Sequence, residues 1–246
     1  MNDAADMTLT PIQALPADLW VALGLTLQLA AVSTIVLMLI GLPLGWWIAS
    51  TRTRISMLVE VVMSMPLVLP PTVIGFYLLM LLSPQHGLGQ WWRNLFGQTL
   101  PFSFAGLVIG SCVYSLPFAV QPVVAAFRML RVETAQAAYS LGMTPRQVFI
   151  YILLPLARSG VYSGAILAFA HTLGEFGVVL MLGGNIPGVT RVASIALYDE
   201  VQKVNYAHAH GYALVLVAVS FALLCATTLL QKRQERWRQT SHFHGK

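Results

Sequence analysis

Charged residues are scarce in this sequence. Asp, Glu, Lys and Arg together make up 9% of its 246 residues, whereas hydrophobic residues make up 57%. A soluble globular domain carries about 25% charged residues. This shortage excludes an ordinary soluble protein and predicts an integral membrane protein that is surrounded by the lipid bilayer.

Cysteines and the short motifs of metal and nucleotide chemistry are also few or missing. The two cysteines, Cys112 and Cys225, both fall inside apolar stretches, which predicts buried thiols rather than a disulfide or a metal site. The sequence contains no CxxC, no HExxH and no phosphate-binding GxxxxGK(S/T) loop. We therefore expect no metal and no cofactor in this chain, and no ATP hydrolysis by the chain itself.

The chain instead contains five long apolar blocks, at about 19–49, 57–82, 103–127, 160–182 and 209–230. About 20 helical residues cross a hydrocarbon core of about 30 Å, so each block is long enough for one span. The blocks predict an all-α, polytopic membrane protein with about five transmembrane helices. The net charge of +5 comes from short basic clusters between them, which favours a membrane protein over one that binds nucleic acid.

The basic residues are distributed unequally between the two sides of these spans. One side holds 11 of the 14 Lys and Arg residues, and the other holds only Arg93, Arg191 and Lys203. Because basic residues favour the cytoplasmic side, we expect the N-terminus in the periplasm, the C-terminus in the cytoplasm and the segment at about 129–158 in the cytoplasm. The eleven residues of the basic side are Arg52, Arg54, Arg128, Arg131, Arg146, Arg158, Lys232, Arg233, Arg236, Arg238 and Lys246.

The second apolar block contains several helix breakers. Pro66, Pro70, Pro71 and Gly75 lie within 10 residues of one another and interrupt the backbone hydrogen bonding of a helix. In a bilayer such a break is tolerated only where protein or water satisfies the freed groups. The block therefore predicts either a discontinuous helix that faces a transport pathway or a kinked helix that only packs. Pro117 predicts a similar, weaker break in the third block.

The polar segment at about 129–158 has the pattern of two short helices joined by a tight corner. Good helix formers run up to Gly142, which suits a left-handed C-terminal cap. Thr144 then caps a second helix, which we expect to end at Pro155. Ala137 and Ala138 leave a flat face of small residues before the corner, which suits insertion into a groove of another protein. The alternative is an amphipathic helix on the membrane surface.

The fourth apolar block carries an ionisable residue at membrane depth. Placing Glu175 there costs at least ~2.5 kcal/mol on insertion scales, so its carboxyl group needs protein or water around it. His171 lies one turn earlier on the same helix face. The sequence predicts an intramembrane polar pair that either stabilises the helices or lines the pathway.

Three pairs of glycines, each four residues apart, also occur in or beside the apolar blocks. Small residues at this spacing allow two membrane helices to approach closely. The pairs are Gly41 with Gly45, Gly106 with Gly110, and Gly160 with Gly164.

The polar segment resembles the ATPase-coupling motif of ABC importer permeases. The resemblance rests on Ala137 and Ala138, on Gly142 after three further residues, and on Ile152-x-Leu154-Pro155 after nine more. That family usually has Glu at the position of Gln136. The resemblance implies that the corner formed by these residues docks on a separate ATPase.

Three further motifs extend this resemblance to the molybdate ABC transporter permeases. They are the proline-rich run 66–79, Leu173-Gly-Glu-Phe-Gly177 and Gly184-Asn-Ile-Pro-Gly188. The match covers most of the chain beyond about residue 19, although His171 stands where that family commonly has Arg. It implies a MetI-like permease fold of the type I importers, with residues 1–246 as a single transmembrane permease domain in the bacterial inner membrane.

The resemblance also implies partners and a substrate. The permease would act as a homodimer with two copies of an ABC ATPase, which bind ATP and Mg²⁺, and with a periplasmic molybdate-binding protein. The expected substrate is molybdate, with tungstate as a co-substrate. The alternatives are a permease for sulfate or thiosulfate, a tungstate-selective importer, and a membrane-embedded enzyme that uses Glu175, His171 and Glu60. The enzyme would need further convergent polar groups, which the sequence does not show.

Overall fold

The computed structural model of the chain describes residues 18–51, 53–130 and 132–243, and every regular element in these ranges is helical. In chain order the helices are α1 Leu19–Ser50, α2 Arg54–Ser64, α3 Pro71–Leu82, α4 Gly87–Phe96, α5 Phe104–Arg128, α6 Val132–Ser140, α7 Pro145–Val148, α8 Leu154–Leu173, α9 Gly177–Gly183, α10 Ala193–Gln202 and α11 Tyr206–Phe243. A 3-10 turn, Met65–Leu67, follows α2, and a π-helical turn, Phe149–Leu153, joins α7 to α8. Arg52, Arg131 and Lys246, which contributed to the predicted orientation, lie outside the described residues.

Four stretches of helix in the described residues are long and apolar enough to cross a membrane. They are Leu19–Ser50, Phe104–Arg128, Pro145–Leu173 and Tyr206–Cys225. The helix pair Arg54–Leu67 and Pro71–Leu82 forms a fifth candidate if the two bent halves count as one span. The all-α class and the number of about five spans are therefore confirmed.

The chain divides into two compact units. The larger unit is Ala22–Val192, and the smaller one combines Met1–Val21 with Ala193–Lys246. In the smaller unit, the carboxylate of Glu200 closes the turn between α10 and α11. It accepts hydrogen bonds from Asn205 Nδ2 at 2.9 Å and from Lys203 Nζ at 3.3 Å. These contacts hold Val204 at a φ of +59°, a conformation that a β-branched residue seldom adopts.

The larger unit is organised by the close approach of α5 and α8. A Cβ atom added at Gly160 would meet the Pro122 carbonyl oxygen, and one added at Gly164 would meet the Ala119 carbonyl oxygen. The backbones of the two helices therefore touch without intervening side chains. This contact confirms the packing role that the spacing of these two glycines predicts.

Helix α1 packs on the same part of α5 through another predicted glycine pair. A Cβ atom at Gly41 would lie 3.1 Å from a methyl group of Val120, and one at Gly45 would lie 2.7 Å from a methyl group of Val123. The first apolar block forms one helix, and Pro43 lies within it. The predicted break at Pro117 is wrong, because α5 continues through this residue. Pro117 is buried within α5, and in a membrane protein neighbouring helices, hydroxyl side chains or water can satisfy the backbone group that a proline frees.

The predicted break in the second block is confirmed. Helix α2 and its 3-10 turn end at Leu67, α3 begins at Pro71, and the two halves meet at an angle of 113°. After this bend, α3 packs against α9, where a Cβ atom at Gly75 would lie 2.7 Å from Cβ of Met181. The prolines and the glycine thus have separate roles, because the prolines redirect the chain and Gly75 allows the close contact.

The predicted end of the second short helix at Pro155 is wrong. Helix α7 continues through the π-helical turn into α8, and Pro155 lies in the first turn of α8. The Leu154 N–H donates to the Phe149 carbonyl, five residues earlier. A proline lacks an N–H and crowds the carbonyl four residues before it, so a wider turn accommodates its ring without ending the helix.

The boundaries of the predicted fourth span also require correction. The continuous helix runs from Pro145 to Leu173 rather than from 160 to 182. Gly174 caps its C-terminal end, and α9 begins at Gly177. Glu175 therefore lies in the break between two helices and not in the middle of one. Apolar composition alone did not reveal this break, because the residues on both sides of it are hydrophobic.

The two cysteines do not share the same environment. Cys112 in α5 is half-buried, with its Sγ 3.7 Å from the Ser33 carbonyl oxygen of α1, whereas Cys225 is exposed on α11. The prediction of burial was wrong for Cys225. In a membrane protein an apolar stretch is covered partly by lipid, so apolar surroundings in the sequence do not establish burial in the protein.

We predict that Gly160→Val destabilises the larger unit. The added methyl groups would be forced into the Pro122 carbonyl and Ala126, and overpacking of this kind costs about 1–3 kcal/mol. The matched control is Gly24→Val in α1, where no atom lies within 4 Å of the new Cβ. Thermal unfolding in detergent would measure the difference, and equal midpoints for the two variants would contradict the packing role of Gly160.

Candidate functional site

The corner after α6 is a Schellman motif. The Gly142 N–H donates to the Tyr139 carbonyl at 2.9 Å, and the Met143 N–H donates to the Ala138 carbonyl at 3.2 Å. This pair of bonds requires a left-handed residue at the corner, and Gly142 has a φ of +79°. The left-handed cap that the sequence predicts is therefore present.

The second helix of the corner begins with a capping box. The backbone N–H of Thr144 donates to Oε1 of Gln147 at 2.8 Å, and the backbone N–H of Gln147 donates to Oγ1 of Thr144 at 3.4 Å. Pro145 occupies the first turn, where its missing N–H costs little. The corner is thus fixed from both sides by hydrogen bonds between residues close in sequence.

The residues predicted to couple to an ATPase are not all on the exposed surface. Gln136 and Ala137 are exposed, whereas Ala138 is only 3% exposed. The carbonyl of Ala138 accepts the Met143 N–H of the Schellman motif. The exposed surface is extended by Leu141, which is 82% exposed and was not among the predicted coupling residues. The sequence shows a leucine directly before Gly142, but its exposure is visible only in the structure.

The corner packs against the spans through an aromatic residue, Phe149. The ring of Phe149, in the π-helical turn, lies 4.9 Å from the ring of Trp46 in α1 and 6.0 Å from the ring of Phe127 in α5. Phe127 is buried, and Ala157 and Val123 belong to the same apolar cluster. A displacement of the corner would therefore act directly on α1 and α5.

The remaining predicted coupling residues lie in and after the π-helical turn. Ile152 and Leu154 are half-buried, and Pro155 is exposed. They share a continuous helix with the buried end of α8, and not a separate short helix. This part of the motif therefore connects the corner to the fourth span.

A polar cluster joins α5 and α8 at the other end of α8. Oγ of Ser115 is 2.9 Å from Nδ1 of His171 and 3.1 Å from Oγ1 of Thr172. The His171 ring stacks on Phe118 at 3.9 Å and lies 4.9 Å from the ring of Tyr114. The histidine is thus held by one hydroxyl group and two aromatic rings, all of them on α5.

Glu175 lies just beyond this cluster. Its side chain is 4% exposed, its backbone N–H donates to the Thr172 carbonyl at 3.3 Å, and Ser111 of α5 is next to its carboxyl group. His171 and Glu175 therefore both face α5, but they have different neighbours, Ser115 and Ser111 respectively.

Two polar contacts that the sequence analysis did not predict join α5 to α2. Arg128 donates to both carboxylate oxygens of Glu60, at 2.9 and 2.7 Å, and Nε2 of Gln121 donates to Oγ of Ser64 at 3.2 Å. The partners are 68 and 57 residues apart. The sequence feature that could have indicated the ion pair is the position of Glu60 within an apolar block, because an ionisable residue there needs a partner.

A cavity of about 930 Å³ opens where the Glu60–Arg128 pair meets the corner. Among its lining residues are Glu60 and Arg128, Arg54 at the start of α2, and Leu130 and Leu153 from the segments around the corner. In the part of the chain that the structure describes, no group of three or more His, Cys, Asp or Glu side chains is arranged to hold a metal ion. The polar part of the cavity wall thus consists of charged side chains and of the hydroxyl groups of serine and threonine residues.

Comparisons with known proteins agree with this architecture. A family model described as the inner membrane component of binding-protein-dependent transport systems matches residues 41–239. The molybdenum transport system permease protein ModB of Azotobacter vinelandii is 47% identical over 205 residues, which cover 83% of this chain and 91% of that protein. The sulfate transport system permease protein CysT of Escherichia coli is 32% identical over 212 residues, which cover 86% of this chain and 76% of that protein.

Solved structures show the same fold. A chain of a bacterial alginate ABC transporter superimposes with a TM-score of 0.72 at 16% identity, covering 89% of this chain and 80% of that chain. A chain of the inward-facing methionine ABC transporter MetNI superimposes with a TM-score of 0.67 at 19% identity, covering 90% and 96%. The predicted MetI-like permease fold is therefore confirmed.

We predict that the aromatic stack, more than the hydrogen bond, makes His171 stabilising. His171→Ala removes the ring between α5 and α8 and should lower the free energy of unfolding by about 1–3 kcal/mol. His171→Phe keeps a ring against Phe118, and Ser115 retains Thr172 as its partner, so this variant should lose much less. Thermal unfolding in detergent compares the two, and an equal loss of stability in both would refute the stacking role.

Proposed function

Because the chain belongs to the family of inner membrane components of binding-protein-dependent transport systems, we propose that it forms the membrane pathway of an ATP-driven importer that carries molybdate into the cytoplasm. It is a transport subunit rather than an enzyme, and a multi-pass component of the bacterial inner membrane. The assignment of molybdate as the substrate rests on the 47% identity to a molybdenum permease over 83% of the chain. Tungstate is proposed as a co-substrate, because the two tetrahedral dianions are nearly the same size.

The proposed assembly contains two copies of this permease, two ATPase subunits that hold ATP and Mg²⁺, and a periplasmic molybdate-binding protein. Residues 1–246 would form one permease domain, with the N-terminus in the periplasm and the corner in the cytoplasm. The many exposed apolar side chains of α2 and α3 support a surface that lipid or a second copy covers. They include Ile55, Met57, Leu58, Val61, Val62, Phe76, Tyr77 and Leu81.

We further propose that the corner is the docking element for the ATPase. Gln136, Ala137 and Leu141 present an exposed surface on one side of a rigid Schellman turn. Movement of the ATPase would be passed through Phe149 to α1 and α5, since its ring packs against both helices. Ile152, Leu154 and Pro155 would continue this connection into α8.

The broken second span is proposed to face the pathway. Its prolines leave backbone groups that water or a neighbouring chain must satisfy, and α2 presents Glu60 and Ser64 towards α5. His171 and Glu175 have a structural role in this proposal. A buried carboxylate would repel an oxyanion, and the His171 ring is occupied by its contacts with α5.

The test of the substrate is uptake into vesicles that contain the permease, its ATPase and its binding protein. We expect ATP-dependent uptake of molybdate and tungstate to exceed uptake of sulfate, which is the smaller anion. The sulfate alternative has a specific basis in the 32% identity to a sulfate permease. Sulfate uptake equal to or above molybdate uptake would refute the assignment.

The docking role of the corner predicts a specific pattern of variants. Ala137→Glu places a charge on the exposed surface, and Gly142→Val strains the left-handed residue by about 1–2 kcal/mol. Both should reduce the amount of ATPase that copurifies with the tagged permease while the permease itself remains folded. Gln136→Glu introduces the residue usual in the family and should copurify as well as the unaltered protein.

A matched variant distinguishes docking from folding. Ala138→Glu puts a charge at a site that is 3% exposed, so we expect it to lower the thermal midpoint of the permease itself. Ala137→Glu, at an exposed site, should leave that midpoint unchanged. If Ala137→Glu and Gly142→Val both retain normal ATPase copurification and uptake, the corner is not the docking element.

A further inference from the structure

We propose that Arg128 is a ligand for the transported oxyanion at the end of the pathway next to the corner, and that Glu60 is its exchangeable counterion. The inference rests on the proposed function and adds a binding residue to it. In this arrangement the anion displaces Glu60 from Arg128 on arrival, and Glu60 displaces the anion when it leaves.

The geometry of the pair carries this inference. Nη1 and Nη2 of Arg128 donate to the two carboxylate oxygens of Glu60 at 2.9 and 2.7 Å. A planar guanidinium that binds two oxygens of a carboxylate also binds two oxygens of a tetrahedral oxyanion, because the spacing of the acceptors is similar. Glu60 thus occupies the position that an oxyanion would take.

The pair is also placed where exchange is possible. The side chain of Arg128 is 50% exposed and that of Glu60 is 32% exposed, so water reaches both groups and can solvate the carboxylate when it separates from the guanidinium. A dianion that reaches Arg128 therefore competes with a monoanion for the same two N–H donors. A fully buried pair would not exchange in this way, since separating it would leave charges in an apolar medium.

The surrounding cavity suits an anion. Among the described residues that line its 930 Å³, Arg54 and Arg128 are cationic and Glu60 is acidic. The hydroxyl groups of Thr51 and Thr53 supply further hydrogen-bond donors. Those of Ser50 and Ser56, which also line the cavity, donate to the backbone carbonyls of Trp47 and Thr51. Once Glu60 turns away from Arg128, the space holds an unpaired guanidinium among neutral donors.

Polar groups continue from this cavity along the same two helices. Gln121 lies two turns before Arg128 on α5, and Ser64 lies one turn after Glu60 on α2, with a hydrogen bond of 3.2 Å between them. These residues form a second polar contact between the broken span and α5. An anion that moves along this helix pair would meet neutral donors first and the guanidinium last.

The position beside the corner connects the exchange to the ATPase. Leu130, Ala135 of α6 and Leu153 of the π-helical turn also line the cavity. A displacement of the corner would therefore alter the walls around Arg128. This provides a physical route by which docking of the ATPase changes the competition between Glu60 and the anion.

The experiment compares Glu60→Gln, Arg128→Gln and the double variant, each in the reconstituted complex with its ATPase. Binding of labelled molybdate to the complex without binding protein, and ATP-dependent uptake with it, are both measured. Glu60→Gln removes the competitor, so the complex should bind molybdate roughly tenfold more tightly, as loss of one charged hydrogen-bonding competitor implies, and release it more slowly. Arg128→Gln and the double variant should lose this binding, and uptake should fall in all three.

A purely structural ion pair predicts a different pattern. In that case the double variant would recover normal uptake, and neither single variant would change anion binding. Either result would overturn the proposal. Should the Gln variants fail to fold, Arg128→Lys retains the charge without the bidentate geometry. It should bind molybdate more weakly than the unaltered complex, and unchanged binding would count against Arg128 as a ligand.

The unaltered complex separates this inference from the proposed substrate. If it imports sulfate in preference to molybdate, the proposed substrate fails, and the same variants are then assayed with labelled sulfate, because both are tetrahedral dianions. The inference fails if Glu60→Gln does not tighten, and Arg128→Gln does not weaken, the binding of the anion that the unaltered complex transports.

Discussion

The contact between α5 and α8 is the constraint on which the larger unit depends. In lipid the helices gain little from the hydrophobic effect when they associate, so close van der Waals contact decides which faces meet. Gly160 and Gly164 allow the two backbones to touch and so determine how the helices are aligned. This alignment brings His171 of α8 to Ser115 of α5 at one end. At the other end it places the corner beside α5, where Phe149 packs against Phe127.

The polar groups between the spans fall into two kinds. In the cluster of Ser115, His171 and Thr172, the two hydroxyl side chains are buried and the His171 ring packs against two aromatic rings, so its hydrogen bonds hold α5 and α8 in place. The pair of Glu60 and Arg128 faces a cavity and remains accessible to water. Burial therefore separates a structural role from one in which a polar partner can be exchanged.

Much of the local structure could be predicted because it depends on residues close in sequence. The left-handed cap at Gly142 and the cap at Thr144 each arise from hydrogen bonds that span five residues or fewer. The break near Pro70 and Pro71 follows from the missing N–H groups of proline. The membrane class and the approximate spans follow from apolar runs, which reflect the solvent that surrounds the chain rather than the arrangement of the helices.

The tertiary structure decided which residues meet, and there local rules gave the wrong result or none. Pro155 lies inside a helix because a π-helical turn accommodates it, and Ala138 is buried although its neighbour Ala137 is exposed. The pairing of Glu60 with Arg128 joins residues 68 positions apart. By itself the sequence determined the membrane class, the corner and the positions of the glycines. The contacts between helices required the fold, because the face that each helix presents depends on the packing of all its neighbours.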